Sequence, residues 1–479
     1  MSISGLLFLI VTQFAAGRGI LRMFSIRQSL IATVAISMFV GTAVFSLLPM
    51  LLEVLHFPIT KTSIIASICV TTLLLNAFVF HRYDYSIFSF RNVKLPPIPP
   101  YEILFIILYT ALFIPSVWRC YFYPPFARDV LSGPEALAEY ALREHKIVNS
   151  VFSTNLMQST PNLLKPPFVT DLQIIYKMLV HPFGQVWLSI IAISFFTWLY
   201  LLVKQRLHPL LAGIVMLFFL VIPELYGYTY IVLWDYCNMV FFFAGIYFLY
   251  EYTQSRQYSV FLFSCLLFGF ATFVRLDSLV FIGLCAPLLL FHMRRNKMPM
   301  LKTLYTCFLF LLIPFVFYFF WVNIFIKYYM PVGTSLSDEL NPSSVSLYFQ
   351  WLKDITLKLT FGGQNYLLYG LFINTFVILV AVDAIFFRRF SREGIFMLIC
   401  IAVVYFGMPL LAYFTHWFNM TTAKRGIFKM FPLMVMYMRN SGFLLYLSKA
   451  ITSFEFPEPK THTAKPAVAT AHSHKKKKK

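Results

Sequence analysis

Apolar runs alternate with shorter polar stretches along almost the whole chain. About thirteen runs are long enough, or nearly long enough, to cross a bilayer as a helix, which takes about 20 apolar residues. They lie at 2–17, 29–55, 61–80, 101–118, 172–203, 208–223, 236–252, 259–274, 277–292, 303–326, 366–386, 395–414 and 426–448. The pattern predicts an all-α polytopic membrane protein with about thirteen transmembrane helices.

Composition supports this class of protein. Hydrophobic residues make up 59% of the chain and charged residues 12%, whereas soluble proteins carry about 25% charged residues. Residues 2–17 lack a basic leader and a convincing cleavage site, so we expect a retained helix rather than a signal peptide. The seven cysteines are scattered, mostly inside apolar runs, and show no metal-binding spacing. We therefore expect no disulfide framework.

Lysine and arginine predict the orientation, because cytoplasmic loops are enriched in both. If residues 119–171 lie outside, 24 of the 39 lysines and arginines fall on the inner side, where the short loops are basic one after another. The net charge of +20 then follows membrane topology and does not indicate nucleic-acid binding. Residues 449–479 are predicted to form a basic, disordered cytoplasmic tail attracted to anionic membrane lipids. We expect a bacterial inner membrane in preference to the endoplasmic reticulum, although the lysines near the C-terminus also resemble a retrieval signal.

The longest polar stretch, residues 119–171, is too rich in charge and proline to lie in hydrocarbon. Within it, Ser132 and Glu135 form an S-x-x-E pattern typical of a capping box. Apolar residues then follow roughly one face, which predicts an amphipathic helix lying on the outer membrane surface. A loop that presents Asp129 precedes this helix. An ordinary solvated loop that contains a helix is the alternative interpretation.

Three ionisable residues stand between long apolar flanks, namely Asp235, Arg275 and Asp277. A charge well inside hydrocarbon costs about 2.5–3.5 kcal/mol on insertion scales, so such residues lie at an interface, pair, or line a wet cavity. One interpretation is structural: either Arg275 and Asp277 form a topology-setting turn, or Asp235 neutralises Arg275. The functional interpretation is a polar cavity that opens outward beneath the outer loops 119–171 and 327–364.

Four stretches carry a resemblance to the C-type integral-membrane glycosyltransferases, such as bacterial protein O-mannosyltransferases and aminoarabinose transferases. RDVLSGPEALAEYAL resembles the first outer loop of that family, and Pro182-Phe183-Gly184 resembles the start of its next span. An outer Asp235 followed by Arg275 is similar to its central pair of spans, and AKRGIFKMFP at 423–432 resembles its late basic turn. The resemblance covers residues 101–448, with residues 1–100 as additional N-terminal transmembrane helices.

This resemblance implies transfer of a sugar from a polyprenyl- or dolichyl-phosphate donor to a glycan, lipid or protein acceptor on the non-cytoplasmic face. Asp129 is the candidate catalytic base, because a carboxylate held near a hydroxyl can take its proton. The remaining candidates are substrate-binding residues, whose cations would meet the phosphate: Glu135, Asp235, Arg275, Asp277, Arg425 and Lys429.

Two departures from the family pattern leave donor and acceptor open. Asp129 stands beside Arg128 where many relatives have a second acid, and Arg275 replaces a frequent lysine. No cofactor and no metal-binding residue is predicted, although the sequence leaves a divalent metal open. The alternative function is a secondary transporter or flippase for a lipid-linked or anionic solute, with Asp235, Arg275 and Asp277 as coupling groups.

Overall fold

The computed structural model describes residues 2–78, 99–153, 164–331, 345–362, 368–388, 390–411 and 420–455. Within these ranges the regular structure is helical throughout and no strand occurs. The principal helices are Ile3–Met23, Leu30–Phe45, Leu48–Val54, Lys61–Ala77, Pro100–Phe122, Pro134–Glu144, Phe168–Leu179, Val186–Lys204, Pro209–Leu220, Trp234–Ser255, Tyr258–Val274, Ser278–Arg295, Met300–Phe319, Val345–Asp354, Gly370–Val382, Arg392–Gly407, Phe431–Met438 and Gly442–Glu455.

Several of these helices have the length and apolarity of membrane spans. Among the described residues eight qualify: Ile3–Met23, Leu30–Val54, Pro100–Phe122, Val186–Lys204, Ser278–Arg295, Met300–Tyr329, Gly370–Phe387 and Arg392–Leu410. Shorter apolar helices cover Lys61–Ala77, Pro209–Leu220 and Tyr258–Val274. The chain is therefore an all-helical, multi-pass membrane protein.

Helix Trp234–Ser255 forms the centre of the bundle, since it is buried along almost its whole length. It packs closely against Tyr258–Val274 at Gly245, where an added Cβ would lie 2.7 Å from the Phe268 ring. The Ser264 hydroxyl donates to the Gly245 carbonyl across this contact at 2.7 Å. Small residues and interhelical hydrogen bonds of this kind hold helices together where lipid supplies no hydrophobic drive.

Two predicted runs are wrong as single helices. Run 172–203 is divided between Phe168–Leu179 and Val186–Lys204, with Gly184 at φ +65° in the connection. Run 426–448 is divided between Phe431–Met438 and Gly442–Glu455. The second break follows from Arg439, whose buried guanidinium is turned toward polar partners instead of hydrocarbon. The helix after this break extends to Glu455, so residues 449–455 are not part of a disordered tail; residues 456–479 lie outside the described ranges.

A group of polar side chains connects helices at the end of the bundle that is predicted to be cytoplasmic. Glu393 lies 3.1 Å from Arg206 Nη2 and 3.2 Å from Arg439 Nη1. Arg206 also donates to Asn440, and Arg439 Nη2 donates to Gln205 Oε1 at 3.2 Å. Glu251 lies close enough to interact electrostatically with both arginines and with Glu393. We call these six residues the inner network.

Candidate functional site

The outer loop that carries Asp129 folds as two short helices. Asp129 lies on Arg128–Leu131, and Gly133 then caps Pro134–Glu144 without a side-chain hydrogen bond. The predicted capping box is wrong, because the Ser132 hydroxyl donates to the Arg128 carbonyl at 2.9 Å and Glu135 is engaged elsewhere. The helix also ends earlier than the apolar pattern indicates, at His145 with φ 57°.

Helix Pro134–Glu144 is fixed to helix Phe168–Leu179 by charge. Lys177 Nζ lies 2.5 Å from Glu135 and 2.5 Å from Glu139. Gln173 Nε2 donates to the Glu135 carboxylate at 2.9 Å. Glu135 therefore anchors helix Pro134–Glu144, which follows the loop that presents Asp129.

Charged residues from distant parts of the chain meet at the same end of the bundle. Arg425 Nη2 donates to Asp129 Oδ2 at 2.8 Å, across 296 positions of sequence. Arg425 Nε lies 4.0 Å from Asp235 Oδ2. Arg275 contacts Asp235 directly and places its Nη2 2.8 Å from Asp277 Oδ2. The set is continuous from Asp129 at the surface to the helix ends within the bundle.

Lys429 lies at the buried end of this set. Its Nζ is 3.9 Å from Asp277 Oδ2 and 5.1 Å from the Phe281 ring centroid. The two ends of the set differ in exposure, because the side chain of Asp129 is 38% exposed whereas that of Lys429 is 2% exposed. These charged residues therefore extend from the protein surface into its interior.

Helix ends explain why these charges meet here. Asp235 lies in the first turn of Trp234–Ser255, and Asp277 directly precedes Ser278–Arg295. Arg275 caps the C-terminal end of Tyr258–Val274. Carboxylates are stabilised at helix N-termini and cations at C-termini, because the aligned peptide dipoles leave partial charges there.

Lys165 is a further cation that the sequence analysis does not single out. Its Nζ lies 4.1 Å from the Trp234 ring centroid, and its charge interacts with Arg275, Asp235, Arg425 and Asp129. No ion pair joins it to a carboxylate within the described part of the chain. Burial, together with the nearby Arg275, lowers the pKa of its ammonium to about 8. The only signal in the sequence is a lysine before two prolines in a long polar loop.

We call these seven residues the outer cluster: Asp129, Lys165, Asp235, Arg275, Asp277, Arg425 and Lys429. When all are ionised, four cations face three carboxylates. Arg425 Nε and Asp277 Oδ1 are also buried without a hydrogen-bond partner among the described residues. The excess positive charge of the cluster fits a small anionic group.

The structure thus brings together six of the seven predicted site residues, and Glu135 is the exception. Glu135 has partners on helix Phe168–Leu179 instead of in the outer cluster. In the described ranges no group of three or more His, Cys, Asp or Glu side chains is arranged to hold a metal ion.

Comparisons of the chain with family models, with curated proteins and with solved structures found no match.

Proposed function

We propose that this protein is a membrane glycosyltransferase that takes its sugar from a polyprenyl- or dolichyl-phosphate donor. The observation that carries the proposal is the contact between Asp129 and Arg425 at the rim of a cluster with excess positive charge. A base beside cations that can receive a phosphate is the arrangement that this transfer needs.

The reaction forms one bond and breaks one bond at the anomeric carbon of the sugar. The acceptor hydroxyl oxygen attacks that carbon while the carbon–oxygen bond to the lipid phosphate breaks. Asp129 takes the hydroxyl proton, and the bonding electron pair leaves with the phosphate. Arg425, Arg275, Lys165 and Lys429 stabilise the charge that develops on this leaving group.

Arg425 has two roles in this reaction: it pairs with Asp129, and it binds the donor phosphate. In the absence of donor it pairs with Asp129, while its Nε has no acceptor. A bound phosphate would attract the same guanidinium and so weaken its hold on the Asp129 carboxylate. The base would then be freed when the donor is present, which favours donor binding before acceptor binding.

The membrane arrangement follows from the same proposal. With about thirteen transmembrane helices, the outer cluster would lie on the non-cytoplasmic side of a bacterial inner membrane, and the C-terminus would lie in the cytoplasm. Helix Pro134–Glu144 lies along the outer surface and holds the Asp129 loop over the donor. Glu135 serves as a positioning residue through Lys177.

The test uses the purified full-length protein in vesicles with radiolabelled undecaprenyl-phosphate mannose, glucose and galactose. Transfer to lipid and protein acceptors of a membrane extract is measured for wild type, Asp129→Asn and Asp354→Asn. Asp354→Asn is the matched control, because Asp354 is also an aspartate paired with a cation, Lys358 at 2.9 Å, and it lies outside the outer cluster. We expect a loss of at least about 100-fold in Asp129→Asn with donor binding retained, since general bases contribute about 10²–10⁴-fold.

Equal turnover by wild type and Asp129→Asn would remove Asp129 as the base. Solute uptake into sealed vesicles, without sugar transfer from any donor, would replace the proposal by the transporter alternative.

A further inference from the structure

Helix Gly442–Glu455 runs across the inner ends of other helices. At its start, the Ser441 hydroxyl and the Phe443 backbone N–H donate to Asp383 at 3.1 and 2.9 Å. Asp383 belongs to the inner end of Gly370–Phe387. The first residues of the helix are therefore held at one edge of the bundle.

Its middle and its end contact two further helices. The His208 backbone N–H, just before Pro209–Leu220, donates to the Ser448 hydroxyl at 2.7 Å. Glu455 lies 3.1 Å from the His208 ring and accepts from the Tyr101 hydroxyl at 3.4 Å, at the start of Pro100–Phe122. Contacts to three helix ends in succession require this helix to lie across the bundle and not along it.

One side of this helix carries exposed aromatic residues. Phe443, Tyr446 and Phe454 recur at helical spacing and are 37%, 61% and 89% exposed. The side toward the bundle carries Ser448, which is buried, whereas Lys449 is exposed at the edge of the aromatic side, one turn after Tyr446. Phe387, at the end of its own apolar helix, places its ring 6.4 Å from Phe443 and 6.2 Å from Tyr446.

We propose that Gly442–Glu455 lies in the headgroup layer of an anionic lipid leaflet, with its aromatic side inserted among the acyl chains. Aromatic side chains concentrate at membrane interfaces, and in-plane helices bury such a face about 5–10 Å deep. The aromatic side is continuous with Phe387, whose apolar helix is itself a membrane span.

Charge complementarity selects an anionic leaflet. Residues 456–479, which directly follow the helix in sequence, include seven lysines and one glutamate. Lysines close to an anionic membrane surface are attracted to it.

The experiment places a fluorescent label at Phe454→Cys or, as a matched control, at Lys449→Cys in full-length protein whose native cysteines are replaced. Vesicles contain phosphatidylcholine with or without phosphatidylglycerol, and quenching by nitroxide-bearing lipid is compared with quenching by aqueous iodide. We expect the lipid-to-iodide quenching ratio to be about threefold higher at position 454 than at 449. Phosphatidylglycerol should raise lipid quenching at 454 further.

Equal ratios at both positions would overturn the proposed in-plane insertion, and an absence of any phosphatidylglycerol effect would overturn the choice of an anionic leaflet. Cross-linking between Phe454→Cys copies in dilute vesicles would show that a second copy covers the aromatic side instead. Both sites are exposed, so these changes leave the fold intact, and failure here would not bear on sugar transfer.

Discussion

The outer cluster and the inner network both hold charged side chains against protein instead of lipid, but they differ in the ratio of cations to carboxylates. In the inner network two arginines face two glutamates, and amide oxygens of Gln205 and Asn440 take further donors. In the outer cluster four cations face three carboxylates, and Lys165 packs on the Trp234 ring without an ion pair among the described residues. Equal numbers of cations and carboxylates hold the helices of the inner network together, whereas the excess of cations in the outer cluster suits the binding of an anion.

This difference predicts that the inner network is the more important of the two for stability. Glu393→Ala removes the carboxylate that pairs with the buried Arg439 and with Arg206. The uncompensated charge of Arg439 should destabilise the fold by about 3–5 kcal/mol. Unfolding in detergent measures the change. The matched control is Glu455→Ala, because Glu455 is 30% exposed beside His208 and its loss should cost under about 1 kcal/mol. If both variants unfold alike, the inner network has no special structural role.

The outer cluster should show its largest effect in donor binding. Arg425→Ala removes the guanidinium that reaches both Asp129 and Asp235. Charged hydrogen bonds contribute about 1.5–3 kcal/mol, so donor affinity should fall about 10–100-fold. Its neighbour Lys424 provides the control, because it lies 3.0 Å from Glu224 and outside the outer cluster. Comparable losses in Lys424→Ala would indicate general surface charge and not a phosphate site.

Variants of Lys165 test whether the excess positive charge of the outer cluster strengthens donor binding while it lowers the stability of the fold. Lys165→Met should weaken donor binding about tenfold while the protein unfolds no more readily, since a partly buried ammonium without a carboxylate is not stabilising. The pKa of Lys165 is lowered to about 8, so wild-type donor affinity should fall as pH rises through that value and the ammonium loses its proton. Lys165→Arg should flatten this profile because arginine stays charged. An identical fall with pH in Lys165→Arg would assign the titration to another group.

The sequence predicts much of this site for one physical reason. Asp235, Arg275 and Asp277 stand at the edges of apolar runs, where an ion has few ways to stay solvated, and the topology places those edges together. Arg425 and Lys429 follow from the same topology. Lys165 was missed because a lysine in a polar loop looks solvated, and its burial depends on how the loop folds back onto Trp234. Glu135 was assigned to substrate because its partner Lys177 lies on a different helix, which no local pattern indicates.

The break at Arg439 shows the same limit in the fold. Residues 426–448 are apolar enough to predict one span, yet Arg439 pairs with Glu393 and donates to Gln205, which lie in other parts of the chain. A hydrophobic run therefore predicts membrane segments well, while its interruptions depend on distant partners.

The smallest predicted effect concerns Gly184, which lies in the connection between helices Phe168–Leu179 and Val186–Lys204. An added Cβ would lie 2.6 Å from Lys177 Cγ, and the glycine has φ +65°, which other residues rarely adopt. Gly184→Ala should cost about 1 kcal/mol in stability and shift Lys177 away from Glu135. Turnover should fall a few-fold at unchanged donor affinity, because Lys177 positions the Asp129 loop and does not contact the phosphate site. Gly227→Ala is the control, since its nearest atoms lie 3.9 Å away. A loss of donor affinity equal to the loss of turnover in Gly184→Ala would place Lys177 within the binding site itself, and the separation of anchoring from binding at this end of the molecule would not hold.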